Sequence, residues 1–170
     1  MEKSILKPSL ISRTRRNHSL EHATLHILGK KFPQVSLGGI SSPGGFTIVG
    51  NVNTEDVAEA AIEGLKRLRS GDRELAIHAN CGTNFAVTGA LAGLAAWLGS
   101  LGTEKEFRKK LERLPLMIVL AVLTIIISRP LGPMVQRHLT TTSDPGTLEL
   151  ERVETSLRAG LQWHKVSTKG

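Results

Sequence analysis

Apolar and polar positions follow two clear rhythms in the first half of the chain. Between Asn17 and Leu28, the residues Leu20, Ala23, Ile27 and Leu28 recur at helical spacing, with Asn17 as N-cap and Gly29 then Pro33 as stop signals. Over residues 35–52 the rhythm shortens. Leu37, Ile40, Phe46, Ile48 and Val49 flank Ser42-Pro-Gly-Gly45, which predicts a β-hairpin. Thr54 then caps a second helix, with Glu55 and Asp56 in its first turn and Val57, Ala61, Leu65 and Leu68 turned inward. Gly71-Asp72 ends it, and residues 74–80 read as a short strand delivering Cys81-Gly-Thr83. Residues 17–83 are therefore expected to form a small α+β domain in the order helix, hairpin, helix, strand.

Beyond that point the rhythm disappears. Residues 75–103 contain no Asp, Glu, Lys or Arg, and residues 84–101 are an apolar Gly/Ala-rich run. A charged segment follows, and then a second apolar run over residues 114–135 in which Arg129 is the only charge. Each run approaches the ~20 residues a helix needs to cross a bilayer. A domain of about 70 residues has too little surface to bury two such helices. The pattern thus predicts two transmembrane helices, about 84–102 and 114–135, joined by a basic loop within residues 84–136. Arg129 would snorkel to headgroups, and Gly89-x-x-x-Gly93 would permit close helix approach. Residues 137–170 are polar again. The turn signal Asp144-Pro-Gly146, the alternation of Leu148, Leu150 and Val153 with charges, and the apolar residues within 161–166 predict a short C-terminal β tail. Residues 1–16, ending in Ser12-Arg-Thr-Arg-Arg16, read as a basic surface arm.

Composition changes this picture in three ways. The net charge of +7 over 170 residues points to anionic partners. Aromatic residues are only 4%, there is no tyrosine, and no nucleic-acid-binding signature occurs, so membrane lipid is expected and nucleic acid is not. The N-terminus has no long apolar run and so no secretory signal. Lys105, Arg108, Lys109, Lys110 and Arg113 put the loop on the cytoplasmic side by the positive-inside tendency. A folded domain without a signal is, however, hard to export. The expectation is an integral membrane protein with a cytoplasmic N-terminal domain. The single cysteine, Cys81, excludes an internal disulfide and leaves a thiol that is buried, reactive or metal-bound.

The candidate chemistry lies in His18-Ser-Leu-Glu21-His22. Two histidines four residues apart project from one helix face and can share a cation. Glu21 faces slightly aside, where a carboxylate can move a proton without ligating. This is the H-x-x-E-H arrangement of the inverted zinc peptidases. Without a third ligand it is equally an ordinary helix carrying two histidines. Cys81 supplies that ligand, since a thiolate with two imidazoles leaves one position open, as catalytic zinc or iron(II) sites require. His78 is the poorer candidate, because strand alternation would turn it away from Cys81. His26 lies two turns above His18 and suits a supporting or membrane-facing role.

These segments resemble S-ribosylhomocysteine lyase, whose metal is bound by an "HTLEH" helix and the cysteine of a "CGT" segment, with an "SPMGC-TGF" hairpin between them. Here His18-Ser-Leu-Glu-His22, Ser42-Pro-Gly-Gly-Phe-Thr47 and Cys81-Gly-Thr83 occur in the same order. The resemblance covers residues 17–84. It implies a metallohydrolase-like fold, one zinc or iron(II) held by His18, His22 and Cys81, Glu21 as acid/base, and by analogy a homodimer. Three departures stand against the lyase reaction itself, one being that the lyase is soluble whereas two membrane helices are expected here. The family's catalytic hairpin cysteine corresponds to Phe46, and its substrate-contacting N-terminal segment is reduced to sixteen residues. The whole layout also looks like a family of uncharacterised bacterial membrane proteins. The resulting expectation is a membrane-anchored, hydrolase-like metalloenzyme acting on a small molecule or peptide. The alternative is a non-catalytic, membrane-tethered binding or scaffolding module on the same fold.

Overall fold

The computed structural model describes residues 9–102 and 107–170, which form two compact units. One comprises residues 9–78 with 137–170; the other is 79–136. The part of the expected basic arm in residues 1–8, and Lys105 of the expected basic loop, lie outside the described residues.

In the first unit, helix α1 runs from Leu10 to Lys31, and Ser9 caps it by accepting from the Ser12 N–H at 3.2 Å. Residues 10–16 are thus its first two turns and no separate arm, and Asn17 sits inside the helix. Asn17 is fully buried. Its side-chain amide donates to the Ser42 carbonyl at 2.8 Å, and its carbonyl oxygen accepts from Thr168 Oγ1 at 2.7 Å. A residue with the local signature of a cap instead ties the helix to the sheet.

Strands β1 (Gly38–Ser42) and β2 (Gly45–Val49) form the hairpin. Gly45 has φ +139°, and a Cβ there would overlap the Val166 carbonyl, so only glycine fits. Helix α2 (Thr54–Arg69) has acidic residues at its start and Lys66, Arg67 and Arg69 at its end, as the helix dipole favours. Strands β3 (Glu149–Arg158) and β4 (Leu161–Lys169) complete an antiparallel sheet of order β1-β2-β4-β3. Phe46, Ile48 and Val166 supply one sheet face to a core with Leu20 and Leu28 of α1 and Val57, Ala61, Leu65 and Leu68 of α2. The strand expected over 74–80 does not form. Residues Arg73–Ala76 make a 3₁₀ turn, and the Ala76 and Ile77 carbonyls are taken by side chains described below.

The second unit pairs helix α3 (Gly82–Gly99) with α4 (Phe107–Ile127). The helices run antiparallel, since Gly99 packs on Met117 and Leu120 while Ser128 Oγ lies 3.2 Å from Thr88 Oγ1. A short helix α5 (Leu131–Val135) follows, passing into a π turn over Gln136–Thr140.

Among the described residues no single helix is long and apolar enough to cross a membrane, so the expected two-helix transmembrane hairpin is corrected. The fold is α+β without it. The physical reasons are local. Gly82, Thr83, Asn84, Thr88, Gly89 and Gly93 dilute the apolar character of α3. Helix α4 begins in charged sequence, and its apolar part from Leu114 to Ile127 extends only about 21 Å at 1.5 Å per residue, against a hydrocarbon core of about 30 Å. The helix then breaks, and the next helical segment, Leu131–Thr140, is set off by 56°. Only as a bent pair do the two have the length and composition of a broken span or re-entrant loop.

Candidate metal centre

Helix α1 carries His18 and His22 one turn apart, and their ring centroids lie 4.3 Å from each other. Each ring is oriented through Nδ1. His22 Nδ1 is 2.7 Å from the Ala76 carbonyl, and His18 Nδ1 is 3.0 Å from the Thr140 carbonyl. A carbonyl only accepts, so both Nδ1 atoms carry a proton, and in that tautomer of the neutral ring the lone pair is on Nε2. This is how metal-binding histidines are commonly fixed. His22 is 1% exposed, and its Nε2 is buried with no hydrogen-bond partner. Leaving such an acceptor unsatisfied costs about 1–3 kcal/mol, and a cation would satisfy it.

Cys81 is the N-cap of α3, and its sulfur accepts from the Thr83 N–H at 3.4 Å. The donor atoms of His18, His22 and Cys81 all lie within 4.8 Å of one another. Two imidazoles and one sulfur are a suitable donor set for zinc or iron(II).

Glu21 is 4% exposed, and Ser41 Oγ donates to its Oε2. A Cβ at Gly39 would overlap Glu21 Oε1 and stand 2.7 Å from its Cδ and Cγ. Gly39 therefore opens the space the carboxylate occupies above β1. Neither Ser41 nor Gly39 stands out in the sequence, because a Gly-Gly-Ile-Ser-Ser strand has no chemical signature of its own.

His78 lies closer to the pair than strand alternation predicts. Its ring centroid is 5.6 Å from that of His22 and 4.8 Å from that of His26. His26 Nε2 in turn donates to the Ile77 carbonyl at 2.7 Å. Burial, reinforced by the His26 and His22 rings, pushes His78 down from 6.5 to about 4, so it is neutral at physiological pH. Phe46 is 2% exposed, packed in the core.

The family described as "Domain of unknown function (DUF6391)" matches residues 13–153. An uncharacterised protein of Picosynechococcus sp. is 35% identical over 153 residues, covering 82% of this chain and 71% of the relative. No solved structure matches the chain.

Proposed function

The chain belongs to the DUF6391 family, and we propose that His18, His22 and Cys81 hold one zinc or iron(II) ion beside which Glu21 acts as acid/base in a hydrolase-like reaction. The observation that carries this reading is the grouping of three soft or borderline donors, one of them the His22 ring with its orphaned Nε2. An ion held by three protein ligands supplies Lewis-acid chemistry at its open position. The chain's own residues do the rest. The Ala76 and Thr140 carbonyls fix the ring tautomers, and Ser41 and Gly39 fix the carboxylate. His78, held neutral, adds no positive charge to repel a cation.

A second reading, in which the ion is structural and the domain only binds, is favoured by Phe46. Its core position removes the second proton carrier that the resembling lyases use.

Metal analysis tests whether the centre exists, and turnover by a Glu21→Gln variant separates the two readings. Freshly purified protein should retain about one equivalent of zinc or iron, and His22→Ala should lose it. Cobalt(II) substitution should give a sulfur-to-cobalt charge-transfer band that Cys81→Ser abolishes. Glu21→Gln should keep the metal under both readings. Under the catalytic one it should lose about 10²–10⁴-fold in turnover of a panel of chromogenic esters and peptides. Wild-type protein that holds no metal would end the proposal.

A further inference from the structure

We infer that the helical unit of residues 79–136 is a lipid-binding element that sinks its apolar helices into one leaflet of an anionic membrane without crossing it. This stands independently of the metal centre. Helix α4 has no buried residue at all. Ile118, Val122, Ile126 and Ile127 are 53%, 49%, 56% and 71% exposed, and on α3 Trp97 and Leu98 are 57% and 51% exposed. Scattered apolar side chains on a surface need no explanation, but a continuous apolar patch marks an interaction site.

The shape of the patch identifies its occupant. At 100° per residue, the exposed apolar positions of α4 from Leu114 to Ile127 sweep about 220° of its circumference. A partner helix or a second copy of this chain covers a stripe of about 100°, leaving the rest in water. Acyl chains wrap whatever is presented to them. Charge agrees with this choice. Arg108, Lys109, Lys110 and Arg113 are all exposed in the first two turns of α4, with Glu112 the one acidic residue among them. Such a cluster beside an apolar segment suits anionic headgroups. The depth follows from length. The uncharged stretch between Arg113 and Arg129 measures about 24 Å at 1.5 Å per residue, short of the hydrocarbon core, and the 56° bend after α4 redirects the chain.

The test uses the full chain carrying Trp163→Phe, which leaves Trp97 in α3 as the only tryptophan. Purified protein is mixed with preformed vesicles of phosphatidylcholine, alone or with phosphatidylglycerol, and floated. The expected result is co-flotation at least tenfold stronger with the anionic vesicles and weakened by salt. Trp97 should be quenched more by lipids brominated near the headgroup than by lipids brominated near the chain end. Ile118→Glu with Ile126→Glu should abolish flotation while leaving the circular dichroism spectrum unchanged, since both positions are exposed. Failure to float with either vesicle overturns the proposal, and a discrete multimer by light scattering would then assign the patch to a second copy. Strongest quenching at the chain ends overturns it in favour of a crossing arrangement.

Discussion

Replacing Gly39 with alanine tests how the carboxylate of Glu21 is positioned. A methyl group at Gly39 meets three atoms of Glu21 at or below 2.7 Å, and no atom of any other residue is nearer. Glu21 is 4% exposed and bonded to Ser41, so it can yield only by leaving that partner. Overpacking costs about 1–3 kcal/mol, and leaving a buried polar group without its hydrogen bond about 1–3 kcal/mol. Because a partial shift relieves one at the expense of the other, the net loss should be about 2–4 kcal/mol. That is a large share of the 5–15 kcal/mol typical of a domain. In a Glu21→Ala background the obstacle is gone. Alanine in a strand then gains about 0.5–1 kcal/mol over glycine, so the sign of the effect reverses. Urea unfolding of metal-free protein, followed by Trp163 fluorescence in a Trp97→Phe background, reads out all four corners of the cycle. If Gly39→Ala costs the same in both backgrounds, Gly39 does not make room for Glu21 and the argument fails.

Phe46→Ala should cost about 3–5 kcal/mol in the same assay, because Phe46 is a fully packed core residue. A loss below about 1 kcal/mol would place Phe46 outside the core. For His78 the value falls from 6.5 in the unfolded chain to about 4 in the folded one. Between those values the unfolded chain binds the extra proton, so metal-free protein should lose stability as pH falls from about 6.5 to about 4. Above that window this contribution is fully present. His78→Asn should remove that part of the slope in urea midpoints measured across the window. A variant whose midpoints run parallel to wild type would refute the assignment.

Much of the first unit could be read from the sequence because its elements are amphipathic and short-range. Val57, Ala61, Leu65 and Leu68 face inward in α2 as their spacing requires, and Ser42-Pro-Gly-Gly45 turns the hairpin. The histidine pair was legible for the same reason, since a helix puts positions four apart on one face. Local signals misled where a residue's partner is distant. Asn17 resembles a cap but bonds to Ser42 and Thr168, the latter 151 residues away. Residues 74–80 look like a strand, but the Ala76 and Ile77 carbonyls accept from His22 and His26. The apolar runs were visible as composition. Where the second of them breaks and bends depends on backbone geometry at residues 128–130.

The sequence by itself determined which side chains could bind a metal and which helix would carry the first two, because both follow from covalent spacing and helical pitch. Only the tertiary structure decided that a backbone carbonyl orients each of those two rings, that Glu21 lies over Gly39 against Ser41, and that β4 inserts beside β2 to complete the sheet. Those outcomes depend on contacts between segments up to 122 residues apart. Such contacts are selected by packing and hydrogen-bond satisfaction over the whole unit, which no local pattern encodes.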